Sequence, residues 1–210
     1  MNKKIEPDRK TVARFISTIQ QDWCKDRDKD NLFEIRCVGE NLTTINRQFA
    51  MNAVKKAISL IVELNGLGLN AYMTINPITD LDEDEVERFG KPATDTDILR
   101  AHFSFADADD ARGLAGLKQL AKLIKPDLAV QTGSVPCKRY HAYWRLIEPC
   151  RDLSMWRQRQ SDIARRFGTD PAVVNPSRLM RVAGTVAYPS AAKMARGYIP
   201  ELTKLKLGAK

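Results

Sequence analysis

The stretch HFSFADADDARG, residues 102–113, ends an apolar strand pattern in a run of acids. Side chains two residues apart in a strand face the same side, so we expect Asp107 and Asp109 to lie next to each other. Two adjacent carboxylates repel unless a cation or a proton lies between them. A metal site at the end of this strand is one interpretation of the pattern. The alternative is a helix cap, in which Asp109 or Asp110 begins a helix near Ala111.

The bulk composition is that of a globular protein, with 210 residues of which 43% are hydrophobic and 29% charged. No window is apolar for long enough to cross a membrane, so we expect no membrane partner. The N-terminal MNKKIEPDRK is basic, but no apolar run follows it. We therefore predict that it is not a signal peptide and that the protein is cytoplasmic.

The cysteines argue against a structural zinc site. None of the four (Cys24, Cys37, Cys137 and Cys150) lies in a CxxC motif, and the chain has 2 histidines. Zinc sites in small domains need clustered Cys and His ligands. Free thiols in a reducing compartment are the expectation.

Charge is distributed unevenly along the chain. The net charge is +8, but residues 138–210 carry 15 Lys or Arg against 5 Asp or Glu. The remainder is therefore slightly acidic. A basic half of this kind predicts a surface for polyphosphate or nucleic acid, and the alternative is an ordinary solvated basic face.

The first hundred residues predict alternating helices and strands. Apolar residues at helical spacing indicate a helix capped by Asp8 and a second helix that begins at Thr43 or Thr44. Alternation predicts strands at 32–40 and 69–78. The acidic segment 79–97 is predicted to be a mobile loop.

The second half predicts the remaining elements of an α/β or α+β fold. In chain order we expect a strand, a helix, two strands, a helix capped by Asp152 and a last strand, at 101–107, about 110–125, 127–135, 139–147, 153–167 and near 179–187. The sequence has no GxxxxGK[ST] motif, so we predict no P-loop ATPase or helicase in it.

A second candidate motif is QTGSVPCKRYHAYWRL, residues 131–146, in which His141 lies in an aromatic strand. The cations Lys138 and Arg139 precede the histidine. Such a cluster suits a site where donors gather on phosphate oxygens. The alternative is a core histidine with satisfied hydrogen bonds.

A third motif is GTDPAVVNPSRLMRVAGTVAYPSAAK, residues 168–193. It contains an acid, Asp170, followed by Arg178 and Arg181 and then by Lys193. Arginine forks bind phosphates well, although surface arginines are common.

The order of these motifs resembles the archaeo-eukaryotic primase superfamily, the primase–polymerases of plasmids, phages and other mobile elements. In that family an acidic pair at a strand end, a histidine strand and a third acid form the site. Arg178-Leu-Met-Arg181-Val-Ala-Gly184-Thr185 is similar to the family's R-x-x-R-x-P-G-T segment, with Ala183 in place of proline. FEIRCVGE and AYMTINPI look like the opening strands of RepB-type primase domains. The resemblance covers roughly residues 8 to 200.

Two positions depart from the family pattern. Arg139 stands where an S-x-H motif has a hydroxyl, so this sequence has a charge in place of that hydroxyl. The third acid is taken as Asp170, and Asn175 is the alternative position, which would mean a lost ligand.

The resemblance implies a fold with an RRM-like catalytic core at 101–200, a smaller N-terminal α/β unit at 1–100, and a tail or linker stub at 201–210. It implies metal ligands Asp107, Asp109 and Asp170 for Mg²⁺ or Mn²⁺. Phosphate-binding groups would be His141, Arg139, Arg178, Arg181 and Lys193.

The implied function is a DNA primase or primase–polymerase that makes primers on single-stranded DNA from nucleoside triphosphates by two-metal nucleotidyl transfer, with a replicative helicase as a further partner. Trp144 and Trp156 are candidates to stack on bases, although both fit buried patterns. The alternative is a non-catalytic module that binds single-stranded nucleic acid on the same fold. A rolling-circle nickase is disfavoured because the sequence has no HxH motif.

Overall fold

The structure, a computed structural model, describes residues 4–21, 23, 31–40, 43–79 and 87–208. Its helices are Arg9–Gln20 (α1), Val54–Gly66 (α2), Ala111–Leu123 (α3), Leu153–Phe167 (α4) and Ala191–Met194 (α5). Its strands are Asn31–Val38 (β1), Thr44–Ala50 (β2), Asn70–Thr74 (β3), Ile78–Thr79 (β4), Glu87–Phe89 (β5), Ala101–Ala108 (β6), Leu128–Gly133 (β7), Arg139–Cys150 (β8), Leu179–Arg181 (β9), Val186–Ala187 (β10), Glu201–Leu202 (β11) and Lys204–Leu207 (β12).

The strands form two main sheets and a short ribbon. One sheet has the order β5-β2-β1-β3-β9, with β4 also paired to β1, and the other has the order β12-β7-β8-β6. Strands β10 and β11 form the ribbon, and the pairings in all three are antiparallel. The chain therefore has an α+β fold, as predicted.

Local capping rules determine where several helices begin and end. The carboxylates of Asp8, Asp110 and Asp152 accept backbone N–H bonds at the starts of α1, α3 and α4. Gly168 ends α4 in the left-handed conformation, at φ 62°. A side-chain acceptor at the N-cap satisfies a donor that the helix leaves free, so these ends were predictable.

One hydrophobic cluster joins the two main sheets. It contains Phe33 and Ile35 of β1, Phe103 of β6, Tyr143 of β8 and Trp156 of α4. The indole of Trp156 donates to the carbonyl of Phe103 at 2.9 Å.

Both candidate stacking tryptophans are core residues. Trp156 is 1% exposed, and Trp144 is buried in a second cluster, where it donates to the Ile124 carbonyl at 2.9 Å. Neither indole is available to stack on a base in this conformation.

The prediction of a helix beginning at Thr43 or Thr44 was wrong for its first part. Residues Thr44–Ala50 form β2, which pairs with β1 from Leu32↔Ala50 to Val38↔Thr44. The helix α2 begins only at Val54. Backbone pairing with β1 outweighs the helical spacing of Ile45 and Phe49.

The prediction that the tail is a linker stub was also wrong. Strand β12 pairs with β7 over four residues, and β11 pairs with β10. The predicted strand near 179–187 is divided, because β9 joins the sheet of β3 while β10 lies in the ribbon. Part of the predicted loop 79–97 is ordered as β5 and a 3-10 turn at Asp95–Asp97, and residues 80–86 lie outside the described ranges.

No helix in the described ranges has the length and apolar character needed to cross a lipid bilayer. The described cysteines Cys37, Cys137 and Cys150 are free thiols, as expected, and Cys24 lies outside the described residues.

Candidate active site

The acids at the end of β6 divide into a cap and a facing pair. Asp110 accepts the Gly113 N–H at 2.7 Å and begins α3. Asp107 and Asp109 line one cavity of about 380 Å³. Strand alternation directs Asp107 and Asp109 to the same side, whereas Asp110 caps the helix, and the metal site stays a prediction.

Antiparallel pairing brings His141 to the acid pair. Asp107 of β6 lies opposite His141 of β8, and Nε2 of the ring is 3.5 Å from Oδ2 of the carboxylate. The other ring nitrogen, Nδ1, is 3.4 Å from the Tyr143 hydroxyl. Both side chains are largely buried, at 13% exposure for Asp107 and 9% for His141.

The two carboxylates differ in their electrostatics. Burial raises the pKa of Asp107, but the charges of His141, Arg178 and Lys193 outweigh it and hold that pKa below its usual value. Burial and the neighbouring charge of Asp107 raise the pKa of Asp109. A pair with opposite shifts is the expected result when two like charges share one site.

The third predicted acid, Asp170, also lines this cavity. Its backbone N–H donates to the Asp107 carbonyl at 2.9 Å, which ties the segment after α4 to the end of β6. Its carboxylate accepts the Ala172 N–H at 2.8 Å. Asn175 is not among the lining residues and donates to the Ser177 hydroxyl at 3.1 Å. Of the two candidate positions, Asp170 is the one that faces the cavity.

The predicted cations gather on the other walls. Arg178, Arg181 and Lys193 line the cavity, and Nζ of Lys193 is 3.8 Å from Oδ2 of Asp109. Arg181 lies over the ring of Tyr72, 4.8 Å from its centroid, and donates to the Tyr72 hydroxyl at 2.8 Å. The cavity thus has an acidic wall and a basic wall.

Arg139 lines the cavity but is already paired. Its guanidinium donates to the Val135 carbonyl at 2.6 Å and lies 3.4 Å from the Glu201 carboxylate. It also packs over the ring of Tyr198, 4.5 Å from the centroid. Glu201 in turn accepts the Ser134 N–H, so the segment predicted as a tail holds the loop before the histidine strand.

Sequence reasoning missed Thr132, Tyr198 and Glu201. Thr132 lies at the irregular register between β7 and β8, is 5% exposed, and lines the cavity. Its hydroxyl is buried and has no hydrogen-bond partner among the described residues. Alternation from Val130, which pairs with His141, would have placed Thr132 on the same face of the sheet as the histidine.

Neither a protein-family model nor a curated protein matches this chain. Among solved structures, it is similar to the AEP domain of the cyanophage S-2L primase-polymerase (PrimPol), with a TM-score of 0.63 and 17% identity over 96% of this chain and 91% of that one. The chain has an archaeo-eukaryotic primase-type fold. This agrees with the family that the three motifs resembled.

Two RepB′ structures show the same primase-type fold. Primase RepB′ matches with a TM-score of 0.61 and 16% identity, over 93% of this chain and 56% of that one. The catalytic domain of RepB′ in complex with initiator DNA matches with a TM-score of 0.53 and 16% identity, over 84% of this chain and 76% of that one.

The Gly-Thr pair of the third motif has a structural role in this primase-type fold. Gly184 adopts φ 83°, and a Cβ there would lie 2.8 Å from the Asp8 carbonyl and from the Val12 nitrogen. The Thr185 hydroxyl donates to the Val182 carbonyl at 2.7 Å. The pair therefore packs the motif against the start of α1.

The acid pair fits a divalent cation. Oδ1 of Asp107 is buried without a hydrogen-bond partner among the described residues, although it belongs to a carboxylate with a lowered pKa. Mg²⁺ accepts one or two protein carboxylates and keeps several waters. In the described part of the chain no three His, Cys, Asp or Glu side chains converge as a ready metal site. Metal ligation by Asp107, Asp109 and Asp170 stays a prediction.

Proposed function

We propose that this chain is a nucleotidyltransferase, a DNA primase or primase–polymerase that makes primers on single-stranded DNA from nucleoside triphosphates. The observation that carries the proposal is one cavity with an acid pair on one wall and cations on the others, in a primase-type fold. Charge of both signs is what phosphoryl transfer requires, because the reaction is catalysed mainly by positioning and electrostatics.

In the proposed reaction a 3′-oxygen forms a bond to the α-phosphorus while the bond to the departing pyrophosphate breaks. Asp107 and Asp109, with Asp170 as a third candidate, would hold Mg²⁺ or Mn²⁺, which when bound neutralises charge on the phosphates. His141 and Thr132 would donate hydrogen bonds to the triphosphate. Because Arg139 is paired with Glu201, we propose that it has two roles. It orients the loop at 134–138, and its positive charge contributes to the electrostatic potential at the phosphates.

The remaining cations would bind the phosphates of the nucleotide and of the template. Arg178, Arg181 and Lys193 line the cavity, and Arg196 lies near its rim, 5.5 Å from the centroid of Tyr198. One structural neighbour was solved with initiator DNA, which supports a nucleic-acid partner here. We further propose a phage, plasmid or mobile-element replication role in the cytoplasm, with a replicative helicase as a partner.

A non-catalytic module that binds single-stranded nucleic acid is the second candidate. The observation that favours it is the third acid, because the Asp170 carboxylate is engaged by a backbone N–H and no three-ligand cluster forms in the described residues. This module would keep the basic wall and would not need the acid pair.

The test is primer synthesis on single-stranded DNA with labelled nucleotides and Mg²⁺ or Mn²⁺, together with DNA binding measured by anisotropy. Asp107→Asn/Asp109→Asn removes both charges at nearly constant shape, and Asp162→Asn, in an exposed ion pair with Arg165, is the matched control. We expect metal-dependent products from wild type and control, and background synthesis with retained DNA binding from the double variant. Good binding by wild type with no product would favour the binding module.

A further inference from the structure

The sheet β12-β7-β8-β6 carries an open groove on the face opposite the cavity. On that face α3 and α4 pack over β6 and β8. A groove of about 270 Å³ runs along α3 towards β7. Its apolar lining consists of Leu114, Leu117, Ala121, Pro126, Ala129 and Ala142. Because side chains alternate along a strand, Tyr140 and Ala142 face this groove while His141 faces the active-site cavity.

The floor of the groove suits an aliphatic surface. Ala129 and Ala142 are small, so another backbone can approach the sheet closely at this point. The wall formed by α3 contributes Leu114 and Leu117. The groove lies beside α3, where a third helix would extend the helical layer at the usual spacing of 8–10 Å.

The rim of the groove is basic. Lys118 and Lys138 line it, and neither Asp nor Glu is among its lining residues in the described part of the chain. Lys206 adds a third cation, since its Nζ lies 2.9 Å from the Tyr140 hydroxyl. A partner that forms favourable electrostatic contacts with these lysines must carry carboxylates beside its apolar side chains.

We propose that this groove binds an amphipathic helix of a partner protein, with aliphatic residues on one face and Asp or Glu along its edges. Helix-in-groove binding uses this combination of an apolar floor and a charged rim. A nucleic-acid strand fits less well, because base stacking needs an open aromatic face. The lining here is mostly aliphatic, and the Tyr140 hydroxyl is already bonded to Gln131 and Lys206.

The test uses a synthetic helical peptide of about 18 residues, long enough to be helical in water, with Leu on one face and Glu on the other. A second peptide has Lys in place of Glu, and a short dT oligonucleotide is the nucleic-acid probe. Binding to the full chain is measured by anisotropy. The variants are Lys118→Glu/Lys138→Glu and Leu114→Gln, and Lys55→Glu/Lys56→Glu on the exposed surface of α2 is the charge-matched control.

We expect the glutamate peptide to bind wild type and the α2 control equally, and to bind Lys118→Glu/Lys138→Glu about tenfold more weakly, which corresponds to about 1.4 kcal/mol. The reversed variant should prefer the lysine peptide, and Leu114→Gln should weaken binding of both peptides. Circular dichroism verifies that each variant is folded. The proposal is overturned if wild type does not bind the glutamate peptide, if groove and control variants bind it alike, or if the groove variants lose only oligonucleotide binding.

Discussion

Neighbouring aspartates at the end of β6 have different environments although they share one side-chain chemistry. Asp110 is used by the backbone of α3, whereas Asp107 and Asp109 share a cavity and have pKa values shifted in opposite directions. The difference follows from backbone position. Strand alternation places Asp107 and Asp109 on the same side, and the turn that follows places Asp110 at the start of α3. At this scale the sequence was informative, since spacing alone assigned the pair and Asp110 as one of the two candidate caps.

Thr132 offers a test in which stability and activity should change in opposite directions. A buried hydroxyl without a partner costs about 1 kcal/mol or more, so Thr132→Val should raise the free energy of unfolding by about that amount. If the hydroxyl donates to the triphosphate, the same change should raise KM for the nucleotide roughly tenfold, the value of a hydrogen bond to a charged group. Urea denaturation and primer-extension kinetics measure the two effects.

Thr132→Ser is the control for this experiment because it keeps the hydroxyl. It should restore KM to near the wild-type value. A gain in stability from Thr132→Val with an unchanged KM would show that the hydroxyl does not contact the nucleotide.

At the scale of elements, the sequence correctly predicted the helix ends that depend on residues close by in the chain. Caps at Asp8 and Asp152 and the stop at Gly168 follow from the needs of helix ends. The segment Thr44–Ala50 was wrongly predicted as the start of a helix. Ile45 and Phe49 fit both helical spacing and strand alternation, and only pairing with β1 decides between them. Strand β12 was missed because its partner, β7, lies about 75 residues earlier in the chain. Glu201 and Tyr198 were missed for the same reason, since their contacts with Arg139 are long-range.

The 3-10 turn at Asp95–Asp97 holds the segment between α4 and β9. Asp95 accepts from the Ser177 N–H and hydroxyl and pairs with Arg157. Asp95→Asn should therefore destabilise the fold by about 1 kcal/mol at neutral pH. It should also lower primer synthesis, because Arg178 follows directly after Ser177 and lines the cavity.

The effect of Asp95→Asn should depend on pH. Burial opposes ionisation of Asp95, but the Ser177 bonds and the Arg157 charge outweigh it, so the folded-state pKa lies below the ordinary value. The stabilisation is thus complete above the unfolded pKa and is lost as the pH falls through the folded pKa. Urea titrations at several pH values should show the gap between wild type and variant narrowing in acid. Asp162→Asn removes an exposed ion pair and should lower the free energy of unfolding by less than about 0.5 kcal/mol. If Asp162→Asn and Asp95→Asn lower it equally, the stabilising role of the Asp95 contacts is contradicted.

At the scale of the whole molecule, the two sheets are interdependent. Strand β9 comes from the half of the chain that contains the three motifs but pairs with β3 of the N-terminal sheet. The cavity is likewise shared, because Tyr72 of β3 and Asp107 of β6 both line it. The boundary at residue 100 stays a prediction, and strand β9 and the cavity both extend across it.

The prediction at this scale is that residues 101–208 do not fold alone. The fragment would expose Phe103, Tyr143 and Trp156 where they join the shared cluster, and β9 would lose its partner strand. Exposing a few buried aromatic side chains costs roughly 2–3 kcal/mol each, which is a large share of the stability of a domain. The full chain should unfold in one urea transition by both circular dichroism and tryptophan fluorescence, and the fragment should give no cooperative transition. A cooperative transition of the fragment would instead establish the boundary at residue 100 as one between autonomous units.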